Sequence, residues 1–136
     1  MNNLITKINE FFLNFEAIAS LLLRLVIGTA FIIHGYGKFP LPPEGLIDYY
    51  DIPPFIASIV AISELTSGML LIISGFIKGQ LGNIITRAVG LNITILMLSI
   101  FVVAHQDWFF TKSSFINSQI FLLVGGLYFM IKGNKI

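Results

Sequence analysis

Asp, Glu, Lys and Arg divide the chain into long apolar blocks. None falls between Arg87 and Asp107, and none between Lys112 and Lys132. Each gap is about the 18-residue run that marks a transmembrane helix. Two further blocks are each interrupted once, 17–37 by Arg24 and 52–77 by Glu64. At about 1.5 Å per residue, each block can cross about 30 Å of hydrocarbon. The pattern predicts four spans, at about 17–37, 55–77, 84–105 and 115–131. Four helices make an all-α membrane protein, a four-transmembrane-helix bundle with no lipid-exposed strand edge.

The N-terminal stretch has a different pattern. Leu4, Ile5, Ile8, Phe11, Phe12 and Phe15 recur at helical spacing, with Asn3, Lys7, Glu10 and Asn14 between them. This predicts an amphipathic interfacial helix over 1–16, ahead of a transmembrane domain at 17–136. A cleaved signal peptide is not expected, because the apolar region comes late, contains Arg24 and lacks a small-residue cleavage site. Between the spans, the proline-rich 39–54 (FPLPPEGLIDYYDIPP) reads as a loop with an interfacial turn at Tyr49–Tyr50. Pro53–Pro54 suits the start of the second span, where a missing N–H costs nothing. KGQLGN at 78–83 reads as a tight polar turn, and QDWFFTKSS at 106–114 as an interfacial aromatic belt.

Composition agrees. Hydrophobic residues make up 56% of the 136 residues and charged ones 11%, against roughly 25% charged in a soluble domain. Mean hydropathy is +0.89. These values exclude a disordered chain, a nucleic-acid binder and an ordinary cytosolic enzyme, and point to a protein solvated by lipid. Net charge is only +1, too little to recruit polyanions. Cysteine is absent, so disulfides, thiolate catalysis, Cys-ligated zinc and iron–sulfur clusters are excluded, and no metal site is expected. Lys7, Lys78, Lys132 and Lys135, with Arg87, fall on the side of the termini. Lys38 and Lys112 share the other side with Glu44, Asp48, Asp51 and Asp107. The positive-inside rule then places both termini in the cytoplasm, in a bacterium across the inner membrane.

Charged groups inside spans are costly and are candidates for function. Arg24 is about two turns into the first span, Glu64 near the middle of the second, and Arg87 one turn into the third. His34 lies near the outer end of the first, with Lys38 one turn beyond, and His105 at the outer end of the third. At about 100° per residue, Arg24, Gly28, Phe31, Gly35 and Lys38 share one stripe. Glu64, Gly68, Leu71 and Gly75 share a second, and Arg87, Leu91, Thr94, Leu98, Phe101 and His105 a third. Turned inward together, these stripes would pair Glu64 with Arg24, Arg87 or both, and gather His34, Lys38 and His105 at the outer end. Plainer roles compete: Arg87 can snorkel to lipid phosphate, Glu64 can sit in a structural ion pair, and the histidines can cap helix ends. The glycines on the stripes read as packing residues.

The run LLLRLVIGTAFIIHGYGKF at 21–39 resembles the first-helix motif of the DoxX family of small bacterial membrane proteins. In that motif an Arg is followed by Gly, Phe and then His-Gly-x-x-Lys, here Arg24, Gly28, Phe31, His34, Gly35 and Lys38. GLIDYYDIPP at 45–54 and ELTSGMLLIISG at 64–75 resemble the family's next two stretches, as do Arg87 and His105 the basic residue and histidine that bracket its third helix. Ser67 stands where many relatives have Gly, and 78–86 is a longer polar turn. The family includes membrane subunits of a terminal quinol oxidase, and a related DoxD branch belongs to thiosulfate:quinone oxidoreductase.

That resemblance implies the membrane component of a quinone-linked redox system, with a quinone as its ligand, no covalently bound cofactor, and a redox partner protein that supplies the electrons. Glu64, His34 and His105 would then carry protons or polarise carbonyls, and Arg24, Arg87 and Lys38 would bind the ligand. The competing reading is a non-enzymatic anchor, or a binder or transporter of a small solute, in which the buried charges fix helix register or hold an anion. A bis-His haem between His34 and His105 is a third arrangement, against which Lys38 and the small bundle argue. The apolar outer faces suit lipid or a second copy of the chain equally.

Overall fold

The computed structural model describes residues 2–104 and 111–134. Among them there are seven helices and no strand: α1 (Asn2–Leu13), α2 (Glu16–Tyr36), α3 (Glu44–Tyr50), α4 (Pro54–Ser74), α5 (Gly79–Ala104), α6 (Lys112–Ile116) and α7 (Gln119–Lys132). α2, α4 and the Gly79–Val103 stretch of α5 are long and apolar enough to cross a membrane, whereas α7 is a shorter apolar helix.

The boundaries follow local chemistry. Pro53 caps α4 and Pro54 occupies its first turn, as the Pro-Pro pair predicts. The 39–54 loop is not wholly irregular, because α3 forms within it and ends at Asp51 in the left-handed region, φ 50°. The polar 78–83 turn is largely helix. The reversal sits earlier, at Gly79 with φ 77°, a conformation that glycine adopts at no steric cost. α5 then runs through Gln80 and Asn83. The span expected at 115–131 is broken: Thr111 caps α6 in a reciprocal box with Ser114, and Ser118, at φ 61°, divides α6 from α7.

Antiparallel neighbours close the bundle. α2 packs on α4 and α5 on α7, with α4 against α5 between them and α7 touching α2. Gly28 and Gly68 let α2 and α4 touch backbone to backbone, since a Cβ on Gly28 would lie 2.8 Å from the Gly68 carbonyl oxygen. Gly90 and Gly126 do the same for α5 and α7, at 2.8 Å. Ile27, Phe31, Leu71, Ile93, Met97 and Phe129 fill the centre. Val26, Ile33, Phe55, Ile62, Ile95 and Val102 stay exposed around the outside, an apolar belt suited to lipid rather than water.

The inward faces of α2 and α4 are those the sequence predicts: Arg24, Gly28, Phe31 and Gly35, then Glu64, Gly68 and Leu71, are all buried. The face of α5 agrees with the predicted one only in part: Thr94 and Phe101 of that stripe are buried, but so are Thr86, Val89, Ile93 and Met97 beside it, while Leu91 and Leu98 face outward. α1 buries none of its residues.

Candidate functional site

The buried charges do not meet in one cluster. They divide between the two ends of the bundle, and helix register is the cause. Gly28 against Gly68 and Gly35 against Leu65 set α2 on α4. Arg24 is thereby level with Leu71 and Ser74, not with Glu64. Seven residues separate Leu71 from Glu64 along α4, roughly 10 Å of axis. The expected Glu64–Arg24 pairing is therefore not made.

Glu64 pairs with Lys38 instead. The Glu64 side chain is 3% exposed and that of Lys38 is 20% exposed. Lys38 follows the end of α2, and its flexible stem folds back into the bundle, where Nζ also donates to the His34 carbonyl oxygen at 3.2 Å. The ammonium supplies the counter-charge to a carboxylate held away from water. Beside the pair is a cavity of about 410 Å³, within the size range of small-molecule sites. Phe31, Val60, Met97, Ile100 and Leu122 supply apolar walls; His34, Tyr50, Asn117 and Gln119 add polar groups around the ion pair. Burial pushes the Tyr50 phenol above its usual range, and the neighbouring Tyr49 adds to the shift. Tyr50 escaped sequence reasoning because it belongs to a connecting segment, and Asn117 and Gln119 because they lie in a predicted span with no charged residue to mark its inward stripe.

Arg24, 1% exposed, anchors the other end. Nη1 donates to the Leu71 carbonyl oxygen at 3.1 Å, Ser74 Oγ at 3.1 Å and Thr86 Oγ1 at 3.2 Å. Nη2 donates to Asn134 Oδ1 at 3.1 Å, and the guanidinium lies 4.7 Å from the Phe129 ring centroid. Asn134 also donates through Nδ2 to the Ser74 and Ile77 carbonyl oxygens. Among the described residues, no carboxylate forms an ion pair with Arg24. Ser74 could have been found one residue before Gly75 on the α4 stripe. Asn134 lies past the last span, where periodicity carries no information.

Arg87 does not reach Glu64 either. Its Nη1 donates to the Met130 carbonyl oxygen at 3.1 Å, near the end of α7, where a cation offsets the helix dipole. His34 is exposed yet lines the Lys38–Glu64 cavity. His105 and the aromatic belt residues up to Phe110 lie outside the described residues. Midway between the ends, Asn92 Nδ2 donates to Ser63 Oγ at 2.8 Å and Ser67 Oγ at 2.6 Å, tying α5 to α4. Among the described residues no group of three or more His, Cys, Asp or Glu could hold a metal.

Long apolar helices, an apolar outer belt and buried, partnered charges define a multi-pass helical membrane protein. The family model for DoxX matches residues 19–106, which includes all but the first three residues of α2 and the whole of α3, α4 and α5, with Arg24, Lys38 and Glu64. The chain belongs to the DoxX family. No curated protein and no solved structure matches it.

Proposed function

We propose that this chain is the membrane component of a quinone-linked redox system, with the ring of a quinone seated in the Lys38–Glu64 cavity. One observation carries the reading: the Lys38–Glu64 ion pair, its carboxylate buried, borders a mainly apolar cavity of ligand size. A quinone needs that combination, an apolar wall for its ring and a donor and a proton carrier for its oxygens. The Lys38 ammonium can donate to a carbonyl oxygen. Glu64, released from Lys38 as that donation forms, can hold or pass a proton. Tyr50 adds a hydroxyl to the lining. A bound quinone takes up two electrons and two protons; the electrons are assigned to a partner protein, because the chain has no cysteine for a thiolate-bound cluster.

The membrane setting completes the reading. α6 and α7 together form the fourth crossing, and α1, with its apolar residues exposed, lies along the interface. Lysine placement puts both termini on the cytoplasmic side of a bacterial inner membrane, so the Lys38–Glu64 cavity opens near the outer face.

The deciding experiment is mass spectrometry on the organic extract of the protein purified in mild detergent, with Glu64→Gln alongside. Near-stoichiometric quinone in the wild type and little in the variant is the expected result. Equal amounts in both would remove Glu64 from the site. No quinone in either would favour an anchor or a small-solute binder.

A further inference from the structure

We infer that the Arg24 end of the bundle is a second binding site, for the phosphate group of a phospholipid or for free phosphate. The guanidinium has five N–H donors and remains charged at every physiological pH. Its hydrogen bonds run from Nη1 and Nη2 to neutral acceptors, and none leaves Nε. No buried side-chain nitrogen or oxygen lacks a partner among the described residues. Arg24 is 1% exposed, so Nε has at most a narrow opening, on the cavity that Arg24 lines. That cavity has a volume of about 320 Å³.

The surroundings select the ligand. Gly75 lies on the cavity wall beside Nε, where a Cβ would stand 3.3 Å from Nε and 2.9 Å from Arg24 Cδ. In a guanidinium, Nε–H and one Nη2–H share an edge, the fork that takes two oxygens of a phosphate or carboxylate. Lys132 lines the same cavity, paired at 2.8 Å with Glu16. Arg24 and Lys132 against Glu16 leave one positive charge in excess, the complement of a phosphodiester monoanion. Asn14 and Asn134 add amides. The cavity adjoins the start of α2 and the end of α7, the level at which phospholipid phosphates meet a membrane protein. A lipid with its phosphate there would supply the counter-charge that no described carboxylate provides to Arg24.

The test uses the full chain in detergent, followed by its Tm. One arm adds phosphatidylglycerol in mixed micelles, with diacylglycerol of the same chains as the phosphate-free control. The other adds inorganic phosphate at constant ionic strength. A saturable rise in Tm in either arm, absent with diacylglycerol, is expected, and the responding arm identifies the source. Because Arg24→Gln can prevent folding, the site is located with Gly75→Ala and Lys132→Gln. Gly75 has φ −63°, so alanine suits its backbone, and Lys132 is near the surface. Each should raise the half-saturating concentration by about tenfold, the loss of one charge-assisted contact. No saturable rise in either arm, a rise matched by diacylglycerol, or an unchanged half-saturation in both variants would each overturn the assignment.

Discussion

Gly28 and Gly68 touch through their backbones, and this one contact determines what Arg24 and Glu64 can reach. It fixes α2 against α4 so that Gly35 rests on Leu65. Glu64, central in α4, is consequently close to the end of α2, where Lys38 is waiting. Arg24 is left facing Ser74 and Thr86. The ion pair and the neutral guanidinium cradle are two results of one packing register.

A side chain at that contact should therefore disturb both ends. Gly68→Ala places a Cβ against the Gly28 carbonyl oxygen and the Ile32 side chain, and should cost about 1–3 kcal/mol, the usual range for overpacking. Gly45→Ala, which meets nothing within 4 Å, is the control and should change stability by less than about 0.5 kcal/mol. Thermal unfolding in detergent compares the two.

Lys38→Met should destabilise more than Glu64→Gln. The first strands a buried carboxylate, and breaking a buried pair this way costs about 3–5 kcal/mol unless the acid takes up a proton. The second leaves an ammonium that is 20% exposed and can turn to water. The double variant should recover much of the loss. A double-mutant cycle on Tm, with infrared detection of a protonated carboxyl in Lys38→Met, tests both parts.

Asn134→Ala should loosen the turn after α4. The amide donates to the Ser74 and Ile77 carbonyl oxygens and accepts from Arg24. Leaving such acceptors unpaired costs about 1–3 kcal/mol. Faster hydrogen exchange at residues 75–79, with little change in the middle of α5, is the expected pattern.

Tyr50 should make stability fall at high pH. Burial raises its phenol in the folded chain, so the unfolded chain loses that proton first, near the ordinary value of about 10. Above that pH the folded state binds more protons than the unfolded one, and stability declines as pH rises through the folded value. Wild type should lose more Tm than Tyr50→Phe between pH 9 and pH 11; equal losses would discount the burial.

The long spans are legible because gaps between charges are long and unambiguous. The inward faces of α2 and α4 are legible because Arg24 and Glu64 mark them. α5 has no comparable marker: apolar residues surround it, so a stripe extended from Arg87 drifts off the buried face, and Leu91 and Leu98 emerge outside. Arg87 itself caps α7. The partner of Glu64 is not legible, since counting from span ends assumes that neighbouring helices start level. α2 and α4 do not; the first turns of α4 run past the end of α2 and are met by α3. The break at Ser118 is hidden inside an apolar run that looks continuous.

That break leaves α7 with 14 residues beside an α5 of 26, about 21 Å against about 39 Å at 1.5 Å per residue. In a bilayer the wall that α7 presents would be shorter than that of α5, and lipids on its flank would compress, at fractions of a kcal/mol for each ångström of mismatch. The height that α7 lacks would have to come from α6, across the break at Ser118.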